Sequence, residues 1–185
     1  MRNYHNMKKR YILTGTPGSG KTSVLRQLET LGYTVIEEAA TDVIALEHSL
    51  GVDKPWEDES FIIKILDLQK SRQSKADFLN DNIQFFDRSP ICTYALCKFL
   101  KLQPPEYLIN EIKTNAIYNK KVFFLENLGF IKNTEARQIG YKEALEFEKI
   151  HYESYTKFGY EIINIPSGDI ITRAKNILIE LDNNK

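Results

Sequence analysis

The sequence of 185 residues has few cysteines, no net charge and no long hydrophobic run. Cys92 and Cys97 lie five positions apart on a predicted helix, which indicates packing residues of a reducing compartment rather than a disulfide. No membrane span and no secretory signal are expected, because no apolar run has the required length, and a cytoplasmic location is favoured. With 25 basic and 25 acidic residues, the chain has no overall field for nucleic acid. His5, His48 and His151 show no metal-ligand spacing.

A glycine-rich segment, Gly15 to Thr22, matches the phosphate-binding pattern GxxxxGK[ST]. An apolar strand precedes it and an amphipathic helix follows it, as this motif requires. Glycines let backbone N–H groups approach phosphate closely, and the helix N-terminus adds partial positive charge. Lys21 is predicted to reach the β- and γ-phosphates, and Thr22 to hold Mg²⁺. The sequence therefore predicts a triphosphate site for ATP, with GTP as the alternative, formed by Gly15, Thr16, Pro17, Gly18, Ser19, Gly20, Lys21, Thr22 and Ser23.

Short apolar segments alternate with longer helical patterns, which predicts an α/β protein with a parallel sheet. We expect one domain over residues 1–185, with residues 1–8 as a loose tail. Helices are predicted from Glu57 to Asn80, with Leu79 on the core face, and from Glu106 to Tyr118. The predicted strands are Tyr11–Thr14, Tyr33–Glu37, Ile83–Asp87, Lys121–Glu126 and Tyr160–Ile165.

Charged residues follow two of the predicted strands, at the edge where parallel sheets bind ligands. Asp87 is a candidate to order metal-bound water or to accept a proton, and Arg88 to neutralise a transferring phosphoryl group. The alternative is a salt-bridged strand end in which Ser89 caps the next helix. Glu38, in preference to Glu37, is the candidate to contact or deprotonate an acceptor, although acids at a helix start also simply favour the helix dipole.

A polar segment, residues 127–140, is a candidate lid that would exclude water from the site. Arg137 is its candidate charge for the phosphates, ahead of Lys132, and the alternative is an ordinary surface loop. Arg173 is predicted either to contact the base or phosphates of the nucleotide or to lie on the surface. Weaker candidates are Gln69 and Arg72 for reading a substrate, whereas Trp56 is interpreted as a core anchor.

The chain resembles the small AAA-type predicted ATPases of the P-loop kinase superfamily, a group similar to the nicotinamide riboside kinase domain of bacterial NAD regulators. The resemblance spans about Lys9 to Leu181 and depends on YILTGTPGSGKT, EEAA, WEDESF, FFDRSP and ARQIGYKEA in that order. It implies P-loop NTPase architecture with strand order 2-3-1-4-5, an arginine-bearing lid, ATP or GTP with Mg²⁺, and phosphoryl transfer to a small acceptor. By position, it places Asp87 and Arg88 beside the reacting centre, Glu38 toward the acceptor and Arg137 in the lid.

Two departures from that family concern the acceptor site. Relatives often have Arg where this chain has Thr41 and Asp where it has Cys92, so the acceptor site here is expected to differ. The leading hypothesis is a monomeric or dimeric kinase acting on a nucleoside- or nucleotide-like acceptor. The alternative is a nucleotide-dependent switch that binds a protein or lipid, although Asn119-Lys120-Lys121 lacks the aspartate of the GTPase base-reading NKxD string.

Overall fold

Five short apolar segments form strands, and longer amphipathic segments form helices between them. The computed structural model describes residues 8–114, 116–129 and 140–182. The predicted strands are confirmed, with ends that shift by one or two residues. The strands are β1 (Lys9–Thr14), β2 (Thr34–Ile36), β3 (Ile83–Asp87), β4 (Lys121–Leu125) and β5 (Glu161–Ile165). The helices are α1 (Lys21–Thr30), α2 (Ala39–Ser49), α3 (Phe61–Asp77), α4 (Pro90–Phe99), α5 (Glu106–Thr114), α6 (Tyr141–Lys157) and α7 (Ile170–Asp182).

All the strand pairings of the sheet are parallel, and the order is β2-β3-β1-β4-β5. The order 2-3-1-4-5 implied by the resemblance is therefore confirmed. In the β1–β3 register Leu13 lies opposite Asp87, and in the β2–β3 register Ile36 lies opposite Phe86. Because the carboxyl ends of these strands coincide, the phosphate-binding segment and the two charged strand ends meet at one edge.

Helices cover both faces of the sheet, as continuous apolar strands require. Tyr11 and Leu13 belong to a buried cluster with residues of α1 and α7. Ile12, between them, belongs to a second cluster with residues of α4 and α6, because successive strand side chains point to opposite faces. Cys92 and Cys97 are both buried and free, and burial raises the pKa of the Cys97 thiol to about 11. This agrees with packing rather than pairing.

The third helix is shorter than predicted at both ends. Pro55–Glu57 forms a separate 3₁₀ turn, and the Asp58 carboxylate accepts hydrogen bonds from the N–H and hydroxyl of Ser60, so α3 begins at Phe61. At the other end the Gln84 amide donates to the Ala76 carbonyl at 2.8 Å. The assignment of Leu79 to the core face is wrong, since this side chain is 44% exposed. Hydrogen bonds of side chains outside the helix, Asp58 before it and Gln84 after it, thus accompany the two ends.

The end of α5 also differs from the prediction. The helix ends at Thr114 rather than at Tyr118, whose hydroxyl accepts a hydrogen bond from the Gln73 amide at 2.7 Å.

No helix among the described residues combines the length and apolar character needed to cross a membrane.

Candidate active site

The loop between β1 and α1 begins at Gly15, where the backbone conformation suits only glycine. Gly15 has φ 144°, and an added Cβ would lie 2.6 Å from the Leu125 carbonyl oxygen. Gly18 and Gly20 also have positive φ, of 86° and 73°. Within the described part of the chain no side chain caps the start of α1, so its first N–H groups are available for an anion.

Arg173, on α7, ties this loop to the sheet. Its guanidinium donates to the Ser19 carbonyl in the loop, and to the Glu126 carbonyl after β4 at 3.1 Å. The side chain is 2% exposed, so the alternative of a surface residue is wrong. Because these hydrogen bonds reach backbone carbonyls, Arg173 stabilises the loop conformation, and its contact with a nucleotide stays a prediction.

Lys21 and Asp87 form a buried ion pair at the carboxyl edge of the sheet. Lys21 Nζ lies 2.7 Å from Asp87 Oδ1, and the two side chains are 4% and 7% exposed. Asp87 is the last residue of β3, and Lys21 begins α1 directly after the loop. The structure therefore brings these two predicted site residues together.

Arg88 has a strained backbone that directs its side chain into a polar network. Its φ is 73°, which is uncommon for a residue with a Cβ. Arg88 Nε lies 2.6 Å from Glu38 Oε1, and Nη1 lies 3.0 Å from His151 Nε2. Burial by itself lowers the pKa of the guanidinium, but the neighbouring groups Glu38, Cys92 and Asp87 together outweigh it and hold the pKa above its usual value. Arg88 is thus a permanent buried cation.

Glu38 and Glu37 occupy different environments. The Thr41 hydroxyl donates to Glu38 Oε2 at 3.1 Å, so contacts with Arg88 and Thr41 hold the Glu38 carboxylate. Glu37 pairs instead with Arg26 at an exposed position. Arg72 donates to the backbone carbonyls of both glutamates, which fixes this segment against α3.

Ser89 caps α4 while its neighbours face the site. Its Oγ accepts a hydrogen bond from the Ile91 N–H at 3.2 Å. This is the capping role that the alternative interpretation, a salt-bridged strand end, predicted for Ser89. The capping role and the placement of Asp87 and Arg88 are compatible, because Asp87 ends β3 and α4 begins only after Ser89, at Pro90.

Two cavities adjoin at Glu38. The larger, of about 280 Å³, is mainly apolar, and the polar residues that line it include Gln69 and Thr93. The smaller, of about 250 Å³, lies against the start of α1. Glu38 and Thr41 line both. The larger cavity is lined by Pro17, Glu38, Ala40, Thr41, Ile44, Trp56, Phe61, Ile65, Gln69, Arg88, Cys92, Thr93, Leu96, Phe99, Leu100 and Phe147.

Both departures from the family pattern lie in the larger cavity. Thr41 contacts Glu38, and Cys92 Sγ lies 3.1 Å from the Tyr155 hydroxyl and 3.3 Å from the Thr14 hydroxyl. Both positions are uncharged, where relatives often carry Arg and Asp. Trp56, interpreted above as a core anchor, is half-buried and also lines this cavity.

The smaller cavity offers oxygen ligands suited to Mg²⁺. Thr22 and Asp87 line it together with Glu37, Glu38 and Asp42. Among the described residues no group of three or more Asp, Glu, His or Cys side chains could hold a metal ion by itself. Mg²⁺ usually takes one or two protein oxygens and completes its shell with phosphates and water.

Comparison with known proteins places the chain in a family. A family model described as an AAA domain matches residues 10–173. The chain belongs to this AAA domain family. The resemblance inferred from the motifs is confirmed at this level. No curated protein matches the sequence.

Solved structures similar to this AAA domain include several kinases. Deoxyadenosine kinase from M. mycoides with bound dATP aligns over 94% of this chain and 99% of its own, with a TM-score of 0.59 and 17% identity. The NadR protein in complex with NR aligns over 96% of this chain and 50% of its own, with a TM-score of 0.69 and 17% identity. Thymidylate kinase from Candida albicans aligns over 96% and 92%, with a TM-score of 0.59 and 12% identity. These similarities establish a P-loop kinase-like fold.

His151 is a site residue of this AAA domain that sequence reasoning missed. It is 0% exposed, and its Nδ1 lies 2.9 Å from the Phe147 carbonyl oxygen, one turn earlier on α6. Burial, followed by the charge of Arg88, lowers the pKa of His151 to about 3, so the ring is neutral. The only sequence signal is its spacing of four from Phe147 and Tyr155, which places the three on one helix face.

We expect His151 to make the AAA domain sensitive to acid. Its pKa is about 3 in the folded protein and about 6.5 unfolded, so the unfolded chain binds more protons between these values. The free energy of unfolding should therefore fall as pH decreases from 6.5 toward 3, by up to about 1.4 kcal/mol per unit from this group. Urea unfolding at pH 6, 5 and 4 measures the slope. His151→Gln should flatten this slope, and His48→Gln, at a half-buried position, should not. Equal slopes in all three proteins would contradict the assignment.

Thr16 links the phosphate loop to the start of the proposed lid and to helix α6. Its hydroxyl donates to Glu148 Oε2 on α6 at 3.0 Å and accepts from the Asn127 amide at 3.3 Å. Glu148 was also missed, because it belongs to no recognisable motif, and Asn127 was included only as the first residue of the lid segment. Arg137 and Lys132 lie outside the described residues, so their roles stay predictions.

Proposed function

We propose that this protein is a Mg²⁺-dependent, kinase-like phosphotransferase that moves the terminal phosphoryl group of ATP to a small nucleoside- or nucleotide-like acceptor. The observation that carries the proposal is the junction at Glu38 and Arg88. One cavity there lies against the phosphate loop, and the other is a mainly apolar chamber large enough for a small organic molecule. A protein that only hydrolysed or sensed nucleotide would not need the second chamber.

Each group at the junction has a proposed task. The loop N–H groups, Lys21 and Ser23 bind the triphosphate, and Mg²⁺ held by Thr22 and Asp87 would neutralise charge on the phosphate oxygens. Arg88 stabilises the negative charge of the transferring group. Arg137, carried on the 127–140 segment, is proposed to add a second cation when the nucleotide is bound.

Glu38 is the proposed base. Its carboxylate faces the chamber at the point where both cavities meet, so an acceptor hydroxyl there could donate to it. As the acceptor oxygen bonds to the γ-phosphorus, the bond to the bridging oxygen of ADP breaks, and the hydroxyl proton passes to Glu38. ADP and the phosphorylated acceptor are the products.

The charges of the larger cavity favour an uncharged acceptor. Among the described residues that line it, Arg88 is the sole cation, and Glu38 neutralises it. A phosphate on the acceptor would therefore find no unpaired cation there. The Gln69 amide and the Thr93 hydroxyl, which bond to each other at 3.3 Å, can instead recognise polar edges of a planar group between apolar walls. This supports a nucleoside-like acceptor over a nucleotide-like one.

Product analysis tests the function. The protein, Mg²⁺ and γ-labelled ATP are incubated with pools of nucleosides, vitamin ribosides and nucleoside monophosphates, and labelled products are separated and identified by mass. We expect one uncharged riboside or deoxyriboside to gain a phosphate at the expense of ATP. ADP release with no phosphorylated compound from any pool, together with nucleotide-dependent capture of a protein or lipid, would favour the switch and contradict the kinase.

We expect Glu38→Gln to lower kcat by about 100-fold or more, the size typical of losing a general base. The amide keeps the size of the side chain and can still bond to Arg88 and Thr41, so KM for ATP should stay within about 3-fold. The neighbouring Glu37→Gln is the matched control, because Glu37 pairs with Arg26 at an exposed position. Steady-state assays with the identified acceptor measure both. Equal kcat values for the two variants would remove Glu38 from the proposed role.

A further inference from the structure

The guanidinium of Arg88 is held from two sides by residues far apart in the chain. Glu38, which precedes α2, contacts Nε at 2.6 Å, and His151 on α6 contacts Nη1 at 3.0 Å. These two contacts commit two of the three nitrogens to protein partners. We expect a transferring phosphoryl group to meet this guanidinium, whose direction depends on both partners and on the neighbouring Cys92.

The tautomer of His151 follows from its hydrogen bonds. The backbone carbonyl of Phe147 can only accept, so Nδ1 carries the proton and donates to it at 2.9 Å. Nε2 then presents a lone pair, and Arg88 Nη1 donates to it. A protonated ring would place two buried cations about 3 Å apart, which Coulomb repulsion strongly disfavours.

The charged groups around the ring favour the neutral form. Arg88 and Lys21 lower the pKa of His151, and Glu38, which raises it, is already paired with Arg88. The ring is completely buried, and both of its nitrogens are committed to hydrogen bonds. A role as proton donor or acceptor toward a substrate is therefore excluded by geometry, since no ring nitrogen can reach one.

We propose that His151 is a positioning residue for phosphoryl transfer: a neutral hydrogen-bond acceptor that holds the Arg88 guanidinium in the orientation the reaction requires. This inference rests on the proposed function. The neighbouring residue Phe147 contributes in two ways, because its carbonyl sets the tautomer and its ring lines the larger cavity 4.3 Å from the imidazole centroid. Helix α6 thus links the wall of the acceptor cavity to the reactive arginine.

Two substitutions separate positioning from packing. His151→Leu removes the hydrogen-bond acceptor Nε2 and fills its place with an apolar side chain. In His151→Gln, the amide oxygen of the glutamine reaches about as far as Nε2 and can accept a hydrogen bond from Arg88. We expect His151→Leu to lower kcat by about 10- to 100-fold, the cost of a small misplacement, with KM for ATP within about 3-fold. The kcat of His151→Gln should recover to within about 5-fold of the unaltered protein. His48→Leu, at a half-buried position, should have the kcat of the unaltered protein. Between pH 5 and 8, the pH profile of kcat should have the same shape in His151→Gln and in His48→Leu as in the unaltered protein.

Nitrogen NMR on the free protein supplies a readout that does not need activity. We expect His151 to give the signals of a neutral ring protonated at Nδ1 from pH 5 to 8. Rotation of the Arg88 guanidinium should be slow in the unaltered protein and in His151→Gln, and faster in His151→Leu. If no acceptor is ever phosphorylated, the proposed function fails. These spectra would still show whether His151 accepts a hydrogen bond from Arg88.

Three results would overturn the inference. One is a His151→Leu variant with unchanged kcat and only a lower melting temperature, as expected of a residue that merely packs. Another is His151→Gln with the same loss of kcat as His151→Leu although both remain folded. The third is an Arg88 guanidinium that rotates equally fast with and without the imidazole.

Discussion

Replacing Lys21 with methionine should weaken ATP binding by at least about 100-fold, because the triphosphate loses a charge-assisted contact at the loop. The Lys21 side chain is 4% exposed, and its ammonium is paired with the Asp87 carboxylate. When ATP binds, we expect the ammonium to contact phosphate oxygens in place of this carboxylate. Isothermal titration of ATP with Mg²⁺ measures the effect. Lys149→Met, at a 77% exposed position on α6, is the matched control and should bind ATP normally.

The same substitution should also destabilise the nucleotide-free protein. It leaves the Asp87 carboxylate, 7% exposed, without its cation, and an unpaired buried charge costs about 3–5 kcal/mol. Adding Asp87→Asn to Lys21→Met should restore part of this stability, because the pair is then removed as a unit. Urea unfolding of the two single variants and the double variant measures the coupling. Normal ATP affinity in Lys21→Met would remove the basis for a triphosphate site.

Asp87→Asn should lower the rate of phosphoryl transfer by about 1000-fold or more while nucleotide binding stays within a few-fold. The carboxylate is proposed to bind Mg²⁺ and order the reacting groups, which matters in the transition state more than in the bound ground state. ATP binding should be retained, because the phosphates can supply the charge that Lys21 loses. Single-turnover transfer and ATP titration separate these two effects.

Asp81→Asn is the matched control for this variant. Asp81 precedes β3 at the opposite end of the strand, where it accepts a hydrogen bond from the Thr34 hydroxyl. It should therefore leave both transfer and ATP binding unchanged. Turnover by Asp87→Asn at the normal rate would show that the role assigned to Asp87 is wrong, even if ATP binding at the phosphate loop is confirmed.

Local sequence predicted the parts of the site that depend on local backbone geometry. The loop from Gly15 to Thr22 could be recognised because its glycines and the flanking strand and helix all lie within about twenty residues. Ser89 and Pro90 start α4 as their residue types indicate. The placement of Asp87 at the ligand edge followed from parallel strands, whose carboxyl ends meet at one side of the sheet.

The neighbourhood of each charged side chain could not be derived in this way. Nothing in the string Glu37-Glu38 states that one carboxylate pairs with Arg26 on the surface and the other with Arg88 in the interior. Arg173 fitted a surface position as well as the buried one that it occupies under the phosphate loop. These outcomes depend on which helices pack against which strands.

By itself, then, the sequence determined a parallel α/β fold with a glycine-rich loop of the phosphate-binding pattern and an acidic strand end beside it, because these are encoded by periodicity and by short motifs. Only the tertiary structure decided that His151, more than sixty positions after Arg88, accepts its hydrogen bond. It also decided that Glu38 stands where two cavities meet. The physical reason is that burial and hydrogen-bond partners are properties of packing, which joins residues distant in the chain.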